Sequence, residues 1–197
     1  MHRYFIIYKP FGYLSQFTKE VPEHLTLGDL GNFPDDVYPI GRLDKDSEGL
    51  LIITNDKKLN HKLLNPKFQH HRTYWAQVEG IPIHEAIQQL NQGVDIKVNG
   101  KIHHTLPANV QLLAAAPKVP ERDPPIRFRK NVPTGWLRIS LHEGKNRQVR
   151  KMCAAVGFPV LRLIRVKIEN LELREMEIGH IQEMRGEQLY KLLNLKP

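Results

Sequence analysis

The chain has 197 residues, 41% of them apolar, and its 29 lysines and arginines outnumber 21 acidic residues to give a formal charge of +8. This length suits one catalytic domain, the apolar share excludes disorder over most of the chain, and the basic excess points to a polyanionic partner. The single cysteine, Cys153, excludes an internal disulfide and argues against a thiolate metal site. The N-terminal apolar run is too short for a signal peptide, and none approaches the ~18 residues of a membrane span, so a reducing cytoplasm is the expected address.

In chain order, residues 3–8 read as a strand closed by Lys9-Pro10-Phe11-Gly12. A short helical stretch near 27–30 and a polar loop lead through Tyr38-Pro39-Ile40 to residues 50–53, a continuous apolar run expected to be a strand buried on both faces. Asn55 or Asp56 can cap the next helix, whose apolar stripe is Leu59, Leu63 and Leu64. Tyr74, Ala76 and Val78 alternate with Trp75 and Gln77, which is strand periodicity. Pro82 opens a helix with Ile83, Ala86, Ile87 and Leu90 on one face, and Asn99-Gly100 signals a two-residue hairpin between residues 94–98 and 101–104. Residues 117–133 form a basic proline-rich loop with five prolines and five basic residues against two acids. After it come a strand at 136–141, a helix at about 146–156, a strand at 160–168 and a last helix near 187–193. Strands and helices are mixed without regular alternation, so an α+β fold with a mixed, largely antiparallel sheet and flanking helices is predicted.

Three segments carry the chemistry. Gly41-Arg42-Leu43-Asp44-Lys45-Asp46-Ser47-Glu48-Gly49 packs three carboxylates and two cations between glycines, in a loop held at both ends by apolar residues, where backbone can present charge to a ligand. A solvated charged turn is the plain alternative. The second segment, Glu143-Gly144-Lys145-Asn146-Arg147-Gln148-Val149-Arg150-Lys151, lacks the glycine and the hydroxyl of a nucleotide phosphate loop, with Ile139 and Asn146 in their places. It reads instead as a helix start, with Arg147, Arg150 and Lys151 on one face suited to RNA phosphate. In the third, Leu161-Arg162-Leu163-Ile164-Arg165, strand geometry sets Arg165 on the same face as Leu161 and Leu163. A guanidinium buried there needs an anionic partner, which a carboxylate of the first loop can supply; Arg162 and Lys167 can equally be ordinary surface charges. The adjacent pairs His70-His71 and His103-His104 do not have zinc spacing, and no metal is expected.

In this order the three segments, together with Arg72-Thr73-Tyr74, resemble the RsuA/RluB/RluE/RluF branch of the pseudouridine synthases, and the resemblance spans nearly the whole chain. Asp123-Pro124-Pro125-Ile126-Arg127-Phe128-Arg129-Lys130 and Gln16-Phe17-Thr18 look like features of a subtype acting on the large ribosomal subunit, and Arg72 stands where lysine is commoner. The resemblance implies a two-lobed catalytic fold over residues 1–197, without an N-terminal S4 RNA-binding domain. It implies isomerisation of a uridine in bacterial 23S ribosomal RNA, or in an assembling large subunit, by a monomer that needs neither cofactor nor metal. Asp44 is then the catalytic carboxylate, ionised, buried and paired with Arg165; it attacks C1′ or removes a proton at C2′. Tyr74 stacks on the flipped uracil, Arg42 braces the vacated space, Leu163 walls the pocket, and Lys145, Asn146, Arg147 and Arg150 bind the RNA. Two rivals remain at this level: an RNA-binding protein without catalysis, for which an acidic loop is a liability, and a hydrolase using Asp44 with Glu48 or Asp46.

Overall fold

The computed structural model describes residues 2–126 and 132–196. They form two compact units, one made of Met1–His70 with Ile164–Pro197 and the other of His71–Leu163.

The first unit opens with β1 (Tyr4–Lys9), β2 (Tyr13–Leu14), β3 (Leu25–Thr26), β4 (Tyr38–Pro39), β5 (Glu48–Thr54) and α1 (Lys57–Leu64). β1 and β5 run antiparallel, from Tyr4 opposite Thr54 to Lys9 opposite Gly49, and every residue of both strands is buried. Burial on both faces is what an unbroken apolar run produces, but β5 begins two residues before that run, at Glu48. Asp56 caps α1 by accepting from the backbone amides of Lys58 and Leu59 at 2.9 and 3.0 Å. Its other oxygen accepts from the hydroxyls of Tyr4 and Tyr190 at 2.8 and 2.7 Å, so one carboxylate fixes a helix start and two buried tyrosines. Leu59 and Leu63 are buried while Leu64 is exposed, because the helix ends at Leu64 and Asn65 turns the chain into extended backbone.

The second unit contains β6 (Arg72–Glu79), α2 (His84–Gln92), the hairpin β7 (Asp95–Val98) and β8 (Lys101–His104), β9 (Asn109–Leu112), β10 (Thr134–Leu141) and α3 (Gln148–Ala155). β10 pairs antiparallel with both β6 and β9. Ala76, Val78, Leu90, Leu137, Ile139 and Cys153 lie at the centre of its core. α2 starts later than Pro82 suggests: Ile83 is extended at the N-cap and 59% exposed, leaving Ala86 and Leu90 as the buried face. Residues 117–126 carry no strand or helix; Arg127, Phe128, Arg129 and Lys130 of the proline-rich loop lie outside the described residues.

The chain leaves the second unit within β11 (Val160–Ile168) and returns to the first, adding β12 (Leu171–Glu172), β13 (Ile181–Glu183) and α4 (Gly186–Leu192). There β11 pairs parallel with β5, with Ile164 opposite Glu48 and Arg165 opposite Gly49, and β13 pairs antiparallel with the free side of β1. Among the described residues, the parallel strand pairings within the units are β5–β11 and the short β2–β3. The result is the mixed, largely antiparallel α+β fold expected from the sequence.

Candidate active site

In the first unit Asp44 sits in the loop between β4 and β5. The residue before it is pinned twice by one hydroxyl. Ser15 Oγ accepts from the Leu43 amide at 3.0 Å and donates to the Leu43 carbonyl at 2.8 Å. On the other side the Gly12 amide donates to the Lys45 carbonyl at 2.8 Å, and the Ser47 amide closes a turn onto the Asp44 carbonyl at 3.0 Å. Leu43 and Ser15 are both buried. The loop is therefore fixed on either side of Asp44, and the reading of a loosely solvated charged turn fails. Asp44 itself is half-buried where the sequence leads one to expect full burial, so one side of it stays open to solvent. Arg42 is exposed.

Gly49 brings Arg165 to this loop. Its φ of +107° suits glycine, and a β-carbon there would lie 2.7 Å from the Arg165 amide nitrogen and closer still to its carbonyl oxygen. Arg165 is 96% buried by its 4% exposure, and its Nε donates to the Leu50 carbonyl at 2.8 Å. Among the described residues, its Nη2 is buried without a hydrogen-bond partner. Lys9, at the end of β1, has no exposed surface and donates to the carbonyls of Pro10 and Tyr13 at 2.8 and 2.6 Å. Burial pushes its ammonium down to about 7; Glu48, Asp46 and Asp44 oppose that shift and Arg165 adds to it. Asp44, Asp46, Glu48 and Arg165 thus all lie within electrostatic reach of one buried lysine.

Lys9 and Ser15 were not singled out from the sequence. A lysine closing a wholly apolar strand just before proline was the available sign for Lys9, since its stem has no route to water. Nothing local marks Ser15, whose partner is 28 positions away. Glu48 is 1% exposed at the start of β5, which disfavours its service as the second carboxylate of a hydrolase, because that role needs water at hand.

The second unit carries the other expected residues. Tyr74 is half-buried in β6, with its ring packed on the core at one side. Leu163 is buried in that core. Lys145, Asn146 and Arg147 are exposed in the loop before α3. Helix α3 begins at Gln148, with Arg147 in left-handed conformation (φ 53°) as its N-cap, so Arg147 does not share a helical face with Arg150 and Lys151. The cause is a local clamp: Gln148 Oε1 accepts from the Lys145 amide at 2.9 Å, and its Nε2 donates to Glu143 at 2.6 Å. Glu143 also accepts from the Leu106 amide at 2.7 Å and sits 3.1 Å from His103 Nε2. Arg150 is half-buried and donates to the Val160 carbonyl at 3.2 Å. Arg162, for which a surface position is one of the alternatives in the sequence, is buried and donates to the Pro120 carbonyl at 2.9 Å, which ties the proline-rich loop to β11.

His104 Nδ1 lies 2.8 Å from Asp95, and His70 Nδ1 lies 3.2 Å from Glu169. Among the described residues no group of three His, Cys, Asp or Glu side chains is placed to hold a metal ion. No helix among them is long and apolar enough to cross a membrane.

Residues 3–155 match the family described as RNA pseudouridylate synthase. A protein of Xanthomonas axonopodis pv. citri named ribosomal large subunit pseudouridine synthase E is 49% identical over 169 residues, which cover 85% of this chain and 86% of the relative. One of the same name from Vibrio parahaemolyticus is 46% identical over 179 residues, covering 91% and 72%. Ribosomal large subunit pseudouridine synthase B of Bacillus subtilis is 35% identical over 189 residues, covering 96% and 70%. A crystal structure of a pseudouridylate synthase superposes with a TM-score of 0.77 at 24% identity over 98% of this chain and 74% of its own, which extends the likeness to the fold. On the match over residues 3–155 and the identities of these relatives, the chain belongs to the RNA pseudouridylate synthase family, enzymes that isomerise uridine to pseudouridine in RNA.

Proposed function

We propose that this enzyme converts a uridine of bacterial 23S ribosomal RNA to pseudouridine in the cytoplasm, with Asp44 as the reacting carboxylate. The observation that carries the substrate reading is the 46–49% identity to relatives named for the large ribosomal subunit, over most of each chain. The Asp44 assignment is supported by a half-buried carboxylate on a loop tied down on both sides, beside a buried arginine and lysine.

The reaction breaks the bond between C1′ and N1, turns the uracil, and joins C1′ to C5; the proton on C5 is lost and N1 gains one. Nothing is oxidised or reduced, and no atom is added, so the chemistry asks for positioning and charge and not for a redox group. Asp44 acts on the ribose, either by attack at C1′ or as base at C2′. Arg165, set beside the loop by the pairing of β11 with Gly49, aims that carboxylate. A base inside folded RNA must leave its stack, at a cost of roughly a few kcal/mol; the exposed Arg42 braces the RNA at that point. On the second unit, the half-buried ring of Tyr74 offers a stacking face, Leu163 gives that strand an apolar surround, and Lys145, Asn146 and Arg147 grip phosphate, with Arg150 shaping their support.

Asp44→Asn expressed in cells lacking the native enzyme tests the assignment. The modified position is expected to read as uridine when the ribosomal RNA is mapped. A normal level of pseudouridine there would assign catalysis to another residue.

A further inference from the structure

The loop that carries Asp44 has no regular structure of its own, and a reacting carboxylate has to be held to within a fraction of an ångström. A displacement of about 1 Å can cost on the order of a hundredfold in rate. What holds it is the segment from Lys9 to Gln16. Lys9 Nζ gathers the carbonyls of Pro10 and Tyr13 from inside the turn, the Gln16 carbonyl accepts from the Leu27 amide at 2.9 Å, and Tyr13 and Leu14 pair with Leu25 and Thr26. The turn is thus anchored at both ends. From it, the Gly12 amide reaches the Lys45 carbonyl and Ser15 Oγ takes both backbone groups of Leu43.

We propose that Ser15 is a positioning residue for Asp44, its single hydroxyl fixing the backbone of Leu43 and thereby the direction in which the carboxylate leaves the loop. The inference rests on Asp44 being the reacting group. Ser15 is buried at 5% exposure, and its hydroxyl is committed as donor and as acceptor to the same neighbour. Its role is geometric, without contact to the substrate. With alanine at this position, the amide and carbonyl of Leu43 lose both bonds at a place where water has little access, and they recover partners only if the loop shifts. A threonine keeps the hydroxyl and restores the clamp.

The test uses the whole protein and an unmodified transcript of bacterial 23S ribosomal RNA. Single-turnover rates and filter-binding affinities are measured for the wild type, Ser15→Ala, Ser15→Thr and Asp44→Asn. Ser15→Ala is expected to slow the reaction about ten- to a hundredfold while its affinity for the transcript stays within about twofold. Ser15→Thr is expected to recover most of the rate. A folded Ser15→Ala enzyme working within about twofold of wild type overturns the proposal, and so does a threonine variant as slow as the alanine one. If Ser15→Ala does not fold, amide exchange in the wild type decides: the Leu43 N–H is expected to be protected, and exchange at the rate of an open loop overturns the clamp. The Asp44→Asn arm separates the two readings. A fully active Asp44→Asn removes the catalytic assignment, whereas an inactive one beside a fully active Ser15→Ala removes only the role of Ser15.

Discussion

Gly49 and Arg165 stand opposite each other in the parallel pairing of β5 with β11, so close that only a hydrogen atom fits between the Gly49 α-carbon and the Arg165 backbone. Gly49→Ala therefore meets two penalties at once. A positive φ at a residue with a side chain costs about 1–3 kcal/mol, and the added carbon drives β11 away from β5. Urea denaturation is expected to show a loss of at least that size. The single-turnover rate should fall further than RNA affinity, because Arg165 moves with its strand. A variant as stable and fast as wild type would mean that the strands slide apart without consequence.

Arg165 itself is the second target. Arg165→Met keeps much of the side-chain volume and removes the charge, so turnover is expected to drop by at least tenfold, about 1.4 kcal/mol in the barrier, with the transcript's Kd nearly unchanged. Equal losses in both quantities would make Arg165 a phosphate contact.

Lys9 makes stability depend on pH in an unusual direction. In the unfolded chain its ammonium has the ordinary value of 10.5, and in the folded protein burial lowers it to about 7. Between these values the unfolded state binds more protons, so this group's contribution to stability rises as pH increases from about 7 towards 10.5 and is level below 7. Lys9→Met should abolish that rise in a series of urea titrations. An NMR titration of the Lys9 ε-carbon that ends near 10.5 would contradict it.

Asp56 joins α1 to Tyr4 and Tyr190 through four hydrogen bonds. Burial alone would raise its pKa, but the bonds from Tyr190, the Leu59 amide and Tyr4 outweigh it and hold the carboxyl below its ordinary value. Asp56→Ala is expected to cost about 2–4 kcal/mol by denaturant unfolding, from the lost cap and two stranded hydroxyls. The contribution is present above the ordinary carboxylate range and is lost as pH falls through the lowered folded value, so the gap between wild type and variant should narrow in acid.

RNA affinity should fall as salt rises, through release of counterions from neutralised phosphates. Lys145→Ala and Arg147→Ala are each expected to weaken binding across RNA sequences and to reduce the slope of log Kd against log salt by about 1. An unchanged slope would remove that residue from the phosphate contacts.

The sequence revealed most of what periodicity and local chemistry determine. The wholly apolar 50–53 run became β5, Asn99-Gly100 became a hairpin turn, and Asp56 caps its helix, because each follows from neighbours in sequence. The Asp44 loop and Arg165 stood out because their charges are set among apolar residues. Long-range features were not legible. Ser15 is defined by a partner 28 positions on, β13 by an exposed side of β1, and the burial of Arg162 by a carbonyl of the proline-rich loop. Arg147 was misplaced because the Glu143–Gln148 bond, and not helix propensity, decides where α3 begins.

The first unit is assembled from the two ends of the chain, and this sets an order of events during synthesis. β1, β5 and the Asp44 loop emerge early, whereas Arg165 in the second half of β11 and the covering strand β13 are made only after the entire second unit. A nascent chain can fold residues 71–163 while the first sheet still lacks strands. The acidic loop and β5 are then left without Arg165 and the parallel pairing with β11 until the last part of the chain is made, so the first sheet is completed only at the end of translation.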